Sequence, residues 1–320
     1  MDIHTIYALV GFLLAAYAVV GNDAVQTLGT FIASNIKIVK WYWLWAAASS
    51  VLIITLSYGW YVNGGDISFG RLNKIPPIEI QWYHAAAPLL LVLLTRFGIP
   101  VSTTFLVLST FASTLILEKM LVKSVIGYGL AAIVAYALWI IISRFMNEKY
   151  NMVKKENRLK WRILQWLSTG FLWYSWLSHD MANIAVFLPR ELPLWMLMGV
   201  ITILCGWLGV IFWSSGGKIQ QVVLEKSGTR FIRSATIIDC VYALILIYFK
   251  QVNSIPMSTT WVFVGLLAGR ELAIATTYRD TYKAGYVFPL IGKDFLKMML
   301  GLGVSVALAL IIHYILDPAQ

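Results

Sequence analysis

Two stretches of the chain place three hydroxyl side chains shortly after a proline. They read Gly98-Ile99-Pro100-Val101-Ser102-Thr103-Thr104 and Ser254-Ile255-Pro256-Met257-Ser258-Thr259-Thr260. Because proline suits the first turn of a helix, each Ser-Thr-Thr is predicted to lie at a helix N-terminus. Backbone N–H groups and the positive end of the helix dipole meet there, so each stretch is predicted to bind an anion. The alternative is that the hydroxyl groups only cap a helix.

An acidic residue interrupts an apolar run ahead of each hydroxyl stretch. Asp23 follows the apolar run 3–20, and Asp180 follows the run 164–177. A carboxylate near the bilayer centre costs about 2.5–3.5 kcal/mol on insertion scales, and broken membrane helices are tolerated only where they line a cavity. Asp23 and Asp180 are therefore the leading candidates for functional residues, with an interfacial helix cap as the alternative.

The order and spacing of these motifs indicate an internal duplication. Ser102 follows Asp23 by 79 positions, and Ser258 follows Asp180 by 78 positions. A Gly-Gly pair lies between the two motifs in both halves, at 64–65 and at 216–217. Internal repeats with interrupted segments at corresponding positions point to the binding site of a secondary transporter.

The composition is that of a multi-pass membrane protein. Of 320 residues, 59% are hydrophobic and 12% are charged, which is about half the charge of a soluble domain. The net charge of +10 is attributed to cytoplasmic loops, so no nucleic-acid partner is expected. No basic region or cleavage site accompanies the first apolar run, which is predicted to remain as a transmembrane helix.

These residues resemble the inorganic phosphate transporter (PiT) family. That family carries a Gly-x-Asn-Asp-x-x-Asn motif and a Gly-x-Pro-x-Ser-Thr-Thr motif once in each half. The stretches around Asp23 and Asp180 are similar to the first motif, and 98–104 and 254–260 are similar to the second. The resemblance covers nearly the whole chain, and it implies a short and divergent member of the family.

The resemblance implies an all-α polytopic membrane protein with two inverted-topology repeats and broken or re-entrant helices at the midplane. The first transmembrane repeat is placed at 1–146 and the second at 162–320. A short basic cytoplasmic linker is placed between them at 147–161. The implied activity is import of phosphate by symport with sodium or protons, without enzymatic activity and without a cofactor. The expected location is the plasma membrane, and a homodimer is one expected assembly.

The family motifs also imply roles for individual residues. The anion would be held by Ser102, Thr103, Thr104, Ser258, Thr259 and Thr260. The coupling cation would be bound by Asn22, Asp23, Asp180 and Asn183. Carboxylate and amide oxygens suit a hard ion, so Asp23 and Asp180 would hold sodium if the transporter is coupled to sodium.

Several positions depart from the family pattern. Gln26 replaces the last Asn of the first acidic motif, and His179 replaces an Asn of the second, so both are expected to modulate the site. Phe105 and Trp261 stand where the family usually has His. His179 could titrate near neutral pH and favour proton coupling, or it could be a hydrogen-bonded packing residue.

Two alternatives to phosphate import stay open, and a third is disfavoured. Sulfate or another oxyanion is a credible substrate, since hydroxyl and amide donors suit any tetrahedral oxyanion. A non-transporting receptor or regulatory relative is a second alternative, and a membrane enzyme is disfavoured because no metal-protease or esterase motif is present. Outside the motifs, Arg270 and Glu271 are expected to form an internal or interfacial ion pair, with a place for Glu271 on the transport pathway as the alternative. Asp239 is expected to be a capping or interfacial acid.

Overall fold

The described residues of the chain are helical apart from the turns and loops that join the helices. The computed structural model describes residues 2–97, 101–145, 158–216, 220, 232–252, 254–277 and 284–316. Its helices are α1 Ile3–Val19, α2 Val25–Asn35, α3 Trp41–Val62, α4 Trp82–Arg96, α5 Thr114–Phe145, α6 Arg158–Asp180, α7 Ala182–Ala185, α8 Leu194–Trp213, α9 Ile232–Val252, α10 Thr259–Thr277 and α11 Ala284–Ile311. The predicted linker at 147–161 lies mostly outside the described residues.

Six segments among the described residues are long and apolar enough to cross a membrane. They are Ile3–Asn35, Trp41–Val62, Thr114–Ile142, Leu194–Trp213, Ile232–Val252 and Val287–Leu316. Large apolar side chains such as Ile54, Ile133 and Leu167 are more than 60% exposed on the outside of the bundle. A surface of this kind is stable against lipid tails rather than water, so the chain is a multi-pass integral membrane protein.

The polar interruption after α1 widens the helix and does not break it. Residues Val20–Ala24 form a π-helical turn that joins α1 to α2. A π turn adds one residue to a helical turn and is frequent at functional sites. The expected interruption of the helix near Asp23 is therefore a local widening, and Asn22 and Asp23 are both buried in the protein interior.

The second acidic motif does interrupt its helix. α6 ends at Asp180, the chain turns at Met181, and the four-residue α7 follows. A carboxylate at the C-terminal end of a helix is disfavoured by the helix dipole. Asp180 therefore depends on partners from elsewhere in the fold.

The helices that precede the two hydroxyl motifs each pack along a helix that carries or precedes an acidic motif. α4, which precedes the first hydroxyl motif, packs along α1, and α9, which precedes the second, packs along α6. The extended residues 254–258 join α9 to α10, which packs closely against α5. A Cβ atom at Gly269 would lie 2.0 Å from the Ala132 carbonyl oxygen, so only glycine allows this approach.

Candidate functional site

The carboxylate of Asp23 is bound by side chains from both motifs of the first half. Asn22 Nδ2 donates to Asp23 Oδ1 at 2.5 Å and to the Val101 carbonyl oxygen at 2.7 Å. The Thr103 hydroxyl donates to Asp23 Oδ2. Gln26 Nε2 donates to Asn22 Oδ1 at 3.3 Å, so it orients Asn22 and does not touch the carboxylate in these contacts. The widened turn and the first hydroxyl stretch thus meet at Asp23.

The carboxylate of Asp180 repeats this arrangement in the second half. Thr259 Oγ1 donates to Asp180 Oδ2 at 2.5 Å, which corresponds by sequence position to the bond from Thr103 to Asp23. Thr104 Oγ1 crosses from the first half and donates to Asp180 Oδ1 at 3.3 Å. Asp180 is thereby held by threonines from both hydroxyl stretches.

The two hydroxyl stretches also contact each other reciprocally. Thr104 Oγ1 donates to the Met257 carbonyl oxygen at 3.3 Å, and Thr260 Oγ1 donates to the Val101 carbonyl oxygen at 3.4 Å. Each threonine holds the same position in its stretch, and so does each carbonyl group. Phe105 and Trp261, which also correspond, lie with ring centroids 5.6 Å apart. The two stretches therefore meet end to end at the centre of the bundle.

Asn183 links the two halves through its amide group. Its Nδ2 lies 3.2 Å from Thr103 Oγ1 and 3.4 Å from Thr104 Oγ1. Its Oδ1 is a buried oxygen that has no hydrogen-bond partner among the described residues. A buried acceptor of this kind favours a bound cation or a ligand that donates a hydrogen bond.

The serine of each stretch accepts a hydrogen bond from the first turn that follows it, which belongs to α10 after Ser258 and to the π-helix Thr104–Leu108 after Ser102. Ser258 Oγ accepts from the Trp261 N–H at 3.2 Å, and Ser102 Oγ accepts from the Phe105 N–H at 3.2 Å. The expectation that proline begins each helix is wrong for the second stretch, because Pro256 lies in the extended segment and α10 begins at Thr259. Capping uses the serine oxygen as an acceptor, and its O–H can still donate to an anion.

The site residues taken together are buried and consist of oxygen and amide groups. Each of them is at most 2% exposed apart from Ser102, which is 6%, and Gln26 and His179, which are 3%. Carboxylate, amide and hydroxyl oxygens are ligands of hard cations, and hydroxyl groups at helix N-termini are donors to anions. The cluster is thus equipped to hold an anion and a hard cation side by side.

Arg71 is a residue of this region that the sequence analysis missed. It lies in the loop between α3 and α4, and its side chain is buried. Arg71 Nη2 lies 3.0 Å from His179 Nδ1, and Arg71 Nη1 donates to the Ile255 carbonyl oxygen at 3.3 Å. His179 Nε2 lies 2.6 Å from the Leu246 carbonyl oxygen. No local pattern marks an arginine in a loop as part of a buried site.

Two expectations outside the motifs have clear outcomes. Arg270 and Glu271 do form an ion pair, at 2.8 Å and in the protein interior. Asp239 is not a helix cap, because it lies within α9 and is fully buried. Its two carboxylate oxygens accept from Thr30 at 2.6 Å and from Thr169 at 2.5 Å, so it joins α2, α6 and α9.

Comparison with known proteins supports the fold. No protein-family model matches the chain, and no curated protein matches it. A solved structure described as "The sodium-dependent phosphate transporter" is similar, with a TM-score of 0.62, 18% sequence identity and 100% coverage of both chains. At this identity the likeness shows that the two chains share a fold.

Proposed function

We propose that this protein is a secondary active transporter that imports inorganic phosphate together with a cation, sodium or a proton. One observation carries the proposal: Thr103 and Thr259 each bind the aspartate of their own half, while Thr104 binds the aspartate of the other. These bonds support a single buried cluster in which the threonines are the anion donors and the aspartates are the cation ligands. The fold shared with a sodium-dependent phosphate transporter supports the same function.

The duplication is best explained by two repeats of inverted topology. The corresponding bonds Thr103–Asp23 and Thr259–Asp180, and the reciprocal contacts of Thr104 and Thr260, support a pseudo-two-fold axis through the site. Transporters with such repeats bind substrate at the repeat interface and expose it by moving one bundle against the other. The proposed repeats are 1–146 and 162–320.

The hydrogen bonds suggest how cation and anion binding are coupled. A threonine hydroxyl has one hydrogen to donate, so Thr103 cannot donate to Asp23 and to a bound anion at the same time. When the hydroxyl turns to the anion, the carboxylate loses a donor and needs positive charge in its place. A cation on Asp23 supplies that charge, and each ligand therefore strengthens binding of the other by the same factor.

Electrostatics gives the same sign of coupling. Two unit charges of like sign 4 Å apart repel by about 4 kcal/mol at an effective dielectric constant of 20. An anion brought beside two buried carboxylates would meet repulsion of this order from each. Neutralising the carboxylates with cations or protons removes most of the barrier, so uptake of the anion without a cation is unfavourable.

Sulfate is the second candidate substrate. Its oxygens would satisfy the same hydroxyl and backbone donors, but it cannot donate a hydrogen bond at neutral pH. Phosphate can donate one to Asn183 Oδ1, the buried acceptor without a partner among the described residues. This oxygen favours phosphate over sulfate, because leaving a buried acceptor unpaired costs about 1–3 kcal/mol.

Uptake of labelled phosphate into proteoliposomes that contain the purified protein tests the proposal. The assay is run with an inward sodium gradient, with a proton gradient alone, and with excess unlabelled sulfate. We expect concentrative uptake that Asp23→Asn or Asp180→Asn abolishes, whereas Glu118→Gln, an exposed carboxylate change on α5, keeps it. Wild-type accumulation by both aspartate variants would rule out the assigned site.

The arms of the experiment also separate the alternatives. Competition by sulfate would make the protein a general oxyanion permease. Uptake driven by protons alone would make a proton the coupling ion. Failure of the wild-type protein to move any oxyanion would favour a receptor or regulatory role.

A further inference from the structure

Two cationic side chains converge on one backbone oxygen beside the second hydroxyl stretch. Arg71 Nη1 donates to the Ile255 carbonyl oxygen at 3.3 Å, and Lys123 Nζ donates to the same oxygen at 2.8 Å. Both side chains are buried, with exposed fractions of 1% and 7%. Charges of like sign repel strongly when they are close and shielded from water. An anion beside both groups would relieve this repulsion, so the place favours an anion.

A third cationic side chain, Lys250, lies on the same side of the bundle. His179 Nδ1 lies 3.0 Å from Arg71 Nη2, and His179 Nε2 lies 2.6 Å from the Leu246 carbonyl oxygen. Lys250 follows Leu246 by four positions, so it lies one helical turn further along the same face of α9. Its Nζ atom lies 4.6 Å from the ring centroid of Phe69, which is in the same loop as Arg71. The loop and the end of α9 thus bring a third positive group to this region.

The loop that carries Arg71 is held in shape by Asp66. The Asp66 carboxylate accepts from the Ser68 N–H at 2.7 Å and from the Gly70 N–H at 2.9 Å. Phe69, between these two residues, has a φ of 55°, a left-handed value that bulky side chains rarely adopt. Strained residues of this kind cluster at ligand-binding and active sites. The conformation of the loop therefore supports a binding role for the residues that it presents.

The cationic side chains lie directly beside the second hydroxyl stretch. Ser124, which follows Lys123 on α5, accepts a hydrogen bond from the Ser258 N–H at 2.8 Å. Lys123 and Ser124 therefore hold the segment 255–258 at both of its ends. Three residues of extended chain span at most about 10 Å. An anion at Lys123 would thus need to move only a short distance to reach the hydroxyl groups.

The position of Lys123 along α5 places this group on the side from which import begins. From Lys123 to Phe145, α5 continues for 22 positions, which is about 33 Å of helix and exceeds the hydrocarbon core of about 30 Å. Phe145 borders the linker 147–161, whose basic residues predict a cytoplasmic location, so Lys123 lies near the outer surface. A cavity of about 470 Å³ between α5 and α9 is lined by Lys123 and Ile255. Lys74, exposed in the loop, acts electrostatically on Lys123 and extends the positive region to the surface.

We propose that Arg71, Lys123 and Lys250 form an outer anion site, which binds inorganic phosphate before it enters the hydroxyl cluster. This inference rests on the proposed transport function, which supplies the substrate and the direction. An arginine has five N–H donors and a lysine has three, so these side chains can bind phosphate oxygens while they keep their contacts with the protein. The site recognises charge and acceptor oxygens, so sulfate should bind there as well as phosphate does. A lipid headgroup carries the same phosphate chemistry and is distinguished by experiment.

Titration calorimetry of inorganic phosphate into the purified protein, in detergent without sodium, tests the site. Sodium is left out because the hydroxyl cluster, in the proposed mechanism, binds an anion only together with a cation. Lys123→Gln and Lys250→Gln should each weaken binding about tenfold or more, since each removes a charged hydrogen-bond donor. Lys123→Arg keeps the charge and should stay within about threefold of wild type. Lys37→Gln, which removes an exposed lysine from the turn after α2, should bind as wild type does.

Two results of this titration would overturn the proposal. One is a wild-type protein that binds no phosphate. The other is wild-type affinity in both glutamine variants. Lys250 is only partly buried, so Lys250→Gln keeps the test open if Lys123→Gln does not fold.

The ionic-strength dependence of uptake tests whether the outer anion site lies on the entry route. Phosphate uptake into proteoliposomes is measured at fixed sodium while choline chloride is added. The half-maximal phosphate concentration of wild type should rise with ionic strength, because salt screens the attraction. In Lys123→Gln and Lys250→Gln it should be several-fold higher at low ionic strength and depend less on salt, whereas Lys37→Gln should follow wild type. An unchanged salt dependence in both glutamine variants would contradict the entry role, since a packing defect alone leaves that dependence as it is.

The two measurements separate failure of the outer anion site from failure of the transport function. Phosphate binding that depends on Lys123 and Lys250, in a protein that moves no oxyanion, would support the site and refute transport. Uptake by wild type that neither lysine substitution alters would refute the site and leave transport standing. A last titration uses short-chain phosphatidylglycerol in place of phosphate. Binding of this lipid without binding of inorganic phosphate would identify a lipid headgroup site and overturn the proposal.

Discussion

The Thr103 hydroxyl offers the sharpest test of how the anion is held. The proposed substitution is Thr103→Val, which replaces the hydroxyl by a methyl group of nearly the same shape at a position that is 1% exposed. Packing is therefore kept while one hydrogen-bond donor is lost. Thr103→Ser is the matched control, since it keeps the donor and removes only a methyl group.

The size of the effect follows from the bonds in the structure. Thr103 donates to Asp23 Oδ2, and in the proposed mechanism it turns to the anion when a cation binds. A hydrogen bond to a charged group contributes about 1.5–3 kcal/mol, and each 1.4 kcal/mol changes an equilibrium constant tenfold. The phosphate concentration for half-maximal uptake should therefore rise about 10- to 140-fold in Thr103→Val. Sodium dependence should change less, because Asn22 still donates to Asp23.

Initial rates of phosphate uptake under a fixed, saturating cation gradient measure this effect. Thr103→Ser is expected to stay within about threefold of wild type, because the lost contact is a single methyl group. Two results would refute the reasoning. One is a Thr103→Val variant whose half-maximal phosphate concentration equals that of wild type. The other is a Thr103→Ser variant as impaired as Thr103→Val, since the defect would then come from packing.

Two predictions concern the fold around the site. Asp239→Leu should lower the free energy of unfolding by about 2–6 kcal/mol, because both threonine hydroxyls that donate to Asp239 lose their acceptor. Asp239→Asn should lower it much less. Thermal unfolding in detergent compares the two variants, and equal losses would speak against the hydrogen bonds as the cause. Gly269→Ala should destabilise the protein by about 1–3 kcal/mol or more, because the added Cβ would lie 2.0 Å from the Ala132 carbonyl oxygen. Gly199→Ala, where a Cβ meets nothing within 4 Å, is the control and should be tolerated; comparable losses for both glycine variants would argue against a close helix contact.

Much of the class of protein could be predicted from the chain alone. Low charge and long apolar runs predict a multi-pass membrane protein because bilayer thickness and desolvation act on each segment locally. The matched spacing of Asp23 to Ser102 and of Asp180 to Ser258 identified the residues that meet at the centre of the bundle. Such residues can be found from sequence because each lies in a short motif.

The local shape of those motifs was predicted less well. The polar stretch around Asp23 suggested a broken helix, but the chain forms a π turn there and stays helical. Pro256 suggested a helix start, but the helix begins three residues later, with Ser258 as its cap. Both outcomes depend on hydrogen bonds to neighbouring segments, which compete with the local preference.

What only the tertiary structure decided is the pairing of charges and hydroxyl groups between distant segments. The bond from Thr104 to Asp180 spans 76 positions, and Arg71 reaches His179 across 108. No periodicity or motif encodes such distances, since they depend on how the helices pack. The sequence by itself thus determined that two similar motifs lie in a membrane, because composition and spacing are local properties. The packing of the helices decided that a threonine of the first half binds the aspartate of the second, because a hydrogen bond between distant residues exists only once the chain is folded.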